Sequence, residues 1–187
     1  MPQKYLRTCQ LMSSLRHPNI TQFLGLCFLP GTQLPLLVME RLETNLDDLL
    51  ETIPNLPLSL KCSVLVDVAS GLLYLHKRPS PVIHRDLTAK NVLLTSSLVA
   101  KITDMGNSRI VSMRPGQMAE ALIQDLGTLV YMPPEARNDS HRCGPSLDIF
   151  SFGHLALYTL TQVRKTFFVR DNPVIVFVSG ISMQTSP

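Results

Sequence analysis

Between Val82 and Leu94 the chain reads Val-Ile-His-Arg-Asp-Leu-Thr-Ala-Lys-Asn-Val-Leu-Leu, which sets an acid, a cation and an amide on one short loop running into an apolar strand. Such a loop can hold a hydroxyl and a metal ion together. Asp104-Met105-Gly106, Met132-Pro133-Pro134-Glu135 and Asp148-Ile149-Phe150-Ser151-Phe152-Gly153 follow it in that order. Taken singly, His-Arg-Asp is usually a surface ion pair, Asp-x-Gly a turn and Pro-Pro-Glu a helix start. Taken together and in this order, they are hard to obtain by chance.

The elements that position these groups are legible as patterns. Lys4 to Leu15 places Tyr5, Cys9, Met12 and Leu15 at three- and four-residue steps and ends at Arg16-His17-Pro18, an amphipathic helix stopped by proline. Ile20 to Phe28 and Leu36 to Met39 read as strands joined by the turn Leu29-Pro30-Gly31-Thr32. Asn45 to Glu51 carries Asp47 and Asp48 in its first turn, where a helix dipole favours them. Ser59 is the expected N-cap of a helix through His76, with Leu65, Val68, Ala69, Leu72 and Leu75 on one face. The further apolar residues Val64, Val66 and Leu73 imply burial on several sides. Val92 to Leu94 and Val99 to Thr103 form short strands about Ser96-Ser97, and Leu147 to Leu160 is a second, mostly apolar helix. From Arg164 the pattern changes: Thr166 to Arg170 and Val174 to Val178 are β-prone runs, and Ile181 to Pro187 has the character of a frayed end.

Composition narrows the class. A chain of 187 residues with 45% hydrophobic content can bury one substantial core, and one domain is expected. The net charge of +3 comes from 17 basic and 14 acidic residues spread along the chain, without the clustered stripe that a nucleic-acid backbone requires. Nucleic acid is therefore excluded as the expected partner. Cys9, Cys27, Cys62 and Cys143 are far apart and show no C-x-x-C spacing, which points to free thiols in a reducing cytosol. No apolar run approaches the roughly 20 residues that span a bilayer, and no signal pattern opens the chain. The expected location is cytoplasmic, with a membrane segment left open for a longer parent protein.

The loop resembles the protein-kinase catalytic loop H-R-D-L-x-x-x-N, and the later motifs follow the kinase order. The resemblance implies an α+β, protein-kinase-like fold: a mostly α-helical C-lobe below an incomplete N-lobe made of part of the family's helix C and its fourth and fifth strands. Residues 1–163 would be a partial kinase domain, with 1–42 the N-lobe remnant and hinge and 43–163 a partial C-lobe; 164–187 would be a divergent, poorly ordered tail. By the same resemblance Asp86 would accept the proton of a Ser, Thr or Tyr hydroxyl, and Asn91 and Asp104 would hold Mg2+. Lys90 would reach a phosphate or an acidic substrate group. The carbonyl of Glu40 and the backbone of Leu42 would hold an adenine edge of ATP, Met39 would narrow the pocket behind it, and Leu93 joins these nucleotide-contacting positions. Asp148 resembles the aspartate that hydrogen-bonds the catalytic-loop backbone.

Departures from the pattern are equally informative. Met105 stands where the family has phenylalanine, and a flexible thioether fills such an apolar slot beside Met12 and His84. Thr8 falls where the helix-C glutamate belongs. The glycine-rich loop and the Val-Ala-Ile-Lys strand are expected upstream of Met1, and nothing past Arg164 resembles the family's last helices, so Glu135 lacks its usual arginine. Losing a lysine and a loop of phosphate-binding N–H groups implies a rate loss of roughly 10⁴ or more, so this chain alone is expected to be inactive. Thr88, two residues after Asp86, replaces the lysine usual in Ser/Thr kinases, and Leu87-Thr88-Ala89-Lys90-Asn91 is similar to the tyrosine-kinase Leu-Ala-Ala-Arg-Asn. Gly127-Thr128 before Tyr131-Met132-Pro133-Pro134-Glu135 points instead to the Ser/Thr style, so acceptor specificity stays open. The expected partner is a protein substrate or a docking partner. The alternatives are a catalytically dead kinase-like binding module and an unstable, truncated or misjoined gene product.

Overall fold

Cys9, Leu11 and Met12 form the buried side of helix α1 (Gln3–Ser14), and Leu15 just past its end is buried with them. This arrangement comes from a computed structural model, which describes residues 3–31, 35–110, 144–162, 166–168 and 175–177. The Tyr5 hydroxyl donates to the carbonyl of Pro35, joining α1 to the segment ahead of the second strand.

After Pro18 the chain lies along strand β6 (Ala100–Ile102) before it becomes a strand of its own. The Thr21 N–H donates to Ile102 O at 2.9 Å, the Ile102 N–H to Asn19 O at 2.9 Å, and the Asn19 side chain to Ala100 O at 3.0 Å. Ile20 is therefore tied to Ile102 by a parallel bridge, and the strand expected from Ile20 begins only at Phe23. Strand β1 (Phe23–Cys27) pairs antiparallel with β2 (Leu36–Met39), from Phe23 opposite Met39 to Cys27 opposite Leu36, with a bulge between Phe23 and Gly25.

Strand β3 (Thr44–Asn45) leads directly into helix α2 (Leu46–Thr52). The Asn45 side chain caps it, accepting from the Asp48 N–H at 2.8 Å, and Asp47 and Asp48 occupy the first turn as expected. Helix α3 (Leu58–His76) starts one residue ahead of the expected Ser59 cap: Pro57 is the N-cap, with no side-chain capping bond. Proline lacks an N–H to satisfy and its fixed φ of −54° suits a helix start, so its carbonyl receives Leu60 and Lys61 without help from Ser59.

Burial along α3 also departs from expectation. Val64, Val68, Leu72 and Leu75 are in the core, yet Val66 and Leu73 are exposed, so the helix is covered on one side. By length and composition α3 is apolar enough to cross a bilayer, which corrects the expectation that no run approaches that length. Only 33% of that apolar stretch is buried, on the side that packs against β6 and the helix Ser146–Thr161. Gly71 is required where α3 meets the α1–β1 connection, because a Cβ there would stand 2.8 Å from Asn19 O.

Strand β4 (Val82–Ile83) pairs with β7 (Arg109–Ile110), and β5 (Val92–Leu94) sits between β3 and β6 in a three-stranded sheet. Helix α4 (Ser146–Thr161) packs against α3 and buries Leu147, Asp148, Leu155 and Tyr158. The Tyr158 hydroxyl donates to Asp47 at 2.9 Å, Lys61 Nζ to Leu160 O at 3.2 Å, and the Gln162 side chain to Leu50 O at 3.2 Å. These bonds lock α4 to α2 and α3. Strands β8 (Thr166–Phe168) and β9 (Ile175–Phe177) pair antiparallel with each other, in the two runs read as β-prone. The rest of the expected tail at 164–187, together with Gly127-Thr128 and Tyr131 to Glu135, lies outside the described residues.

One core unites the helices and the β3–β5–β6 sheet, with Leu46, Leu75, Leu87, Leu94, Ile102 and Leu155 at its centre. The architecture is α+β, helices surrounding small antiparallel sheets, as expected.

Candidate active site

The loop carrying Asp86 is held from below by one buried carboxylate. Asp148, in the first turn of α4, is fully buried; its Oδ2 accepts from the His84 N–H at 2.8 Å and from His76 Nε2 at 2.7 Å, and its Oδ1 accepts from the Arg85 N–H at 2.9 Å. A buried carboxylate is stable only when its lone pairs are filled, and the loop backbone and α3 fill them here. Arg85 has φ of 71°, a left-handed conformation uncommon outside glycine, and the Asp148 bond holds it there.

His84 ties the loop to the next strand. The Asp86 N–H donates to His84 Nδ1 at 3.3 Å, so Nδ1 is an acceptor and Nε2 carries the hydrogen given to Thr103 O at 2.7 Å. A single buried ring thus spans from Asp86 to the residue before Asp104.

Asp86 and Asn91 meet above this base, and Asp104 follows Thr103, whose N–H bonds Asn91. Asn91 Nδ2 donates to the Asp86 carbonyl at 2.7 Å and lies 3.4 Å from its Oδ2, while the Thr103 N–H donates to Asn91 O at 3.0 Å. With its nitrogen turned to Asp86, the Asn91 amide directs its oxygen elsewhere. Asp104 is exposed, in a left-handed conformation with φ of 59°, and its Oδ1 accepts from the Gly106 N–H at 3.1 Å. A Cβ at Gly106 would lie 2.9 Å from that oxygen, which accounts for glycine there. Met105 is buried in the core with Met12, and its sulfur accepts from the Ser108 hydroxyl at 3.2 Å.

Sequence patterns did not reveal Asn107, whose amide lies 3.4 Å from Asp86 Oδ2. No local signal marks it. Lys90 is exposed on the short 3₁₀ turn Ala89–Asn91, and Thr8 is half-buried on α1.

On the opposite side, Met39, Glu40 and Leu42 are half-buried at the end of β2. The Glu40 N–H donates to Gln22 O at 2.9 Å, its carboxylate accepts from the Gln22 N–H at 2.7 Å, and Lys101 Nζ donates to both carboxylate oxygens at 2.8 and 2.9 Å. Lys101 is on β6, so this ion pair connects the β2 end to the sheet beneath it. Leu93, half-buried on β5, stands opposite Asn45 in the sheet register.

The donor set suits magnesium and not zinc. Asn91 and Asp104 offer hard oxygens, and among the described residues no three His, Cys, Asp or Glu side chains gather at one place. Two protein oxygens suffice for an ion that keeps its waters and takes phosphate oxygens. Cys9 is buried and Cys27 and Cys62 are exposed, all free thiols.

Comparison with known proteins agrees with this geometry. Residues 2–174 match the family described as protein tyrosine and serine/threonine kinase. A probable serine/threonine-protein kinase of Dictyostelium discoideum is 35% identical over 166 residues, covering 88% of this chain and 16% of that protein. Wall-associated receptor kinase 1 of Arabidopsis thaliana is 32% identical over 98% of this chain and 25% of its own length. U-box domain-containing protein 34 of Arabidopsis thaliana is 36% identical over 85% of this chain and 20% of its own length. The chain thus spans from 16% to 25% of the length of these relatives. In fold, it is similar to a chain in the crystal structure of the yeast RNA Pol II CTD kinase CTDK-1 complex, with a TM-score of 0.77 at 23% identity over 92% of this chain and 54% of that one. The His-Arg-Asp loop, the Asp-Met-Gly turn and this fold, matched through nearly all of its length, make the chain a member of the protein kinase family.

Proposed function

We propose that this chain carries the catalytic-loop half of an ATP-dependent protein phosphotransferase. The observation that carries the reading is Asp86 held between the amides of Asn91 and Asn107, on a backbone fixed by Asp148. In that role Asp86 accepts the proton of a protein hydroxyl as the oxygen attacks the terminal phosphate of ATP. Asn91 and Asp104 hold Mg2+, which neutralises charge on the phosphates when bound. Lys90 is exposed on the same turn, free to meet a transferred phosphate or an acidic substrate group. The adenine edge is met by the carbonyl of Glu40 and the backbone of Leu42, with Met39 behind it and Leu93 beneath. The Glu40–Lys101 pair supports this by keeping the Glu40 side chain occupied elsewhere, which leaves the backbone for the nucleotide.

In domain terms, residues 1–42 are the upper-lobe part with its hinge, 43–163 the lower lobe and 164–187 a separate tail. The substrate is a cytoplasmic protein. Within the 187 residues there is no Gly-x-Gly-x-x-Gly and no Val-Ala-x-Lys, and Thr8 stands at the helix-C glutamate position. On this reading these 187 residues transfer no phosphate without an added phosphate-holding lysine, and Thr8 favours a second reading as a kinase-like binding module.

The test measures phosphate transfer from magnesium-ATP to Ser, Thr and Tyr peptides, with the chain alone and joined to a kinase upper lobe that supplies the missing lysine. Transfer by the joined form that falls about 10³-fold in Asp86→Asn supports the phosphotransferase. A joined form that binds nucleotide and transfers nothing leaves the binding module, and transfer by the short chain that vanishes in Asp104→Ala refutes its inactivity.

A further inference from the structure

Helix α3 presents an apolar ridge to solvent. Leu58 is 65% exposed, Val66 67% and Leu73 54%, and Cys62 and Ala69 are exposed between them. At 3.6 residues per turn these positions fall within an arc of about 80°. A ridge this continuous is unlike scattered surface leucines and marks a face that another molecule covers.

The ridge runs into a groove of about 470 Å³ bounded by Leu73, Tyr74, Lys77, Arg78, His17 and Pro79. Its floor is fixed. The Tyr74 ring stacks on His17 with centroids 4.8 Å apart, and its hydroxyl accepts from the Arg16 N–H at 2.9 Å and from Arg78 at 3.0 Å. The Arg78 guanidinium also donates to the Ser14 hydroxyl at 3.1 Å, so side chains of α1 and of the end of α3 meet in a shallow depression open to solvent.

Charge gathers at that end of the ridge alone. Lys77 and Arg78 line the groove, and no ion pair joins either to a carboxylate among the described residues. The only acid on α3, Asp67, accepts from the Ala100 N–H at 2.9 Å on the sheet side. We propose that this face docks an acidic, amphipathic peptide segment of a partner protein. The partner's apolar side chains lie on Val66 and Leu73, one of them entering the groove, and its carboxylates meet Lys77 and Arg78.

Two other occupants fit less well. A bilayer surface is met by basic groups flanking an apolar face along its length, whereas here they cluster at one end beside a concavity. A second copy of the chain would bring the same positive end and no carboxylate on this helix to oppose it.

The probe is a fluorescein-labelled helical peptide with leucines on one face and glutamates on the other, titrated with the full chain by anisotropy. Saturable binding is expected, with at least a tenfold loss when lysines replace the glutamates. Leu73→Ser and Lys77→Glu should each weaken it about tenfold and leave thermal unfolding unchanged, since both side chains are exposed. Equal binding of the acidic and basic peptides, or indifference to both substitutions, overturns the proposal. So does absence of peptide binding together with Leu73→Ser-sensitive sedimentation on phosphatidylserine vesicles or Leu73→Ser-sensitive dimerisation.

Discussion

The catalytic-loop region and the β1–β2 sheet are built on opposite terms. Around Asp86 the backbone is tied by the loop's own His84 and Asn91 and by Asp148 from α4: Asp148 to His84 and Arg85, His84 to Thr103, Asn91 to Asp86. In the β1–β2 sheet, Leu24, Leu26, Leu36 and Val38 are exposed, and only Phe23, Leu37 and Met39 pack against the core. The difference shows that Asp148 of α4, together with the loop's own side chains, supplies the fixed points of the loop backbone. It also shows where local opening begins, because few buried contacts mean low local stability.

The largest effect should come from Asp148→Ala. It leaves the His84 and Arg85 N–H groups and the His76 ring without their acceptor, at a cost of about 3–5 kcal/mol, read as a lowered urea midpoint. Loss of less than about 1 kcal/mol would mean that the loop stands without its base. Gly71→Ala comes next, at about 1–3 kcal/mol, because its Cβ meets Asn19 O and the Ile102 side chain. Tyr158→Phe removes the donor to buried Asp47 and should cost about 1–2 kcal/mol in the same assay. On the other side of the comparison, Leu24→Ser and Phe28→Ser should change stability by no more than about 0.5 kcal/mol. Hydrogen exchange sharpens the contrast: amides of β1 and β2 should exchange faster than those of β5 and β6, and equal protection would break it.

The smallest expected effect is a pH dependence at His17. Burial holds its pKa below the ordinary 6.5, so the unfolded chain takes up the proton first as pH falls. The stability linked to His17 is present in full above about 6.5 and is lost as pH falls through the lowered folded value. His17→Gln should flatten that part of a melting-temperature profile, and an unchanged slope would assign it to other groups.

Much of the fold was legible because its signals are local. The amphipathic steps before His17, the acids Asp47 and Asp48 in a first helical turn and the paired apolar runs at Val92 and Ala100 each fix an element within a few residues. Errors arose where distant partners decide. Ile20 is apolar enough for a strand but is taken by Ile102, so β1 starts later. Ser59 looks like a cap, but Pro57 already serves, and Val66 and Leu73 look like core but face water. At the site, motif order pointed to Asp86, Asn91 and Asp104, while Asn107 and the Glu40–Lys101 pair depend on which side chains meet across the fold. Nothing in local spacing names such pairs.

The position of Asp148 has a consequence for biosynthesis. It lies 64 residues after His84, so a ribosome releases the whole loop well before the carboxylate that fixes it has been made. Until α4 emerges, Arg85 lacks the Asp148 bond that steadies its left-handed turn. A transcript that stops short of Asp148 would leave its His-Arg-Asp letters intact without the carboxylate that anchors their backbone.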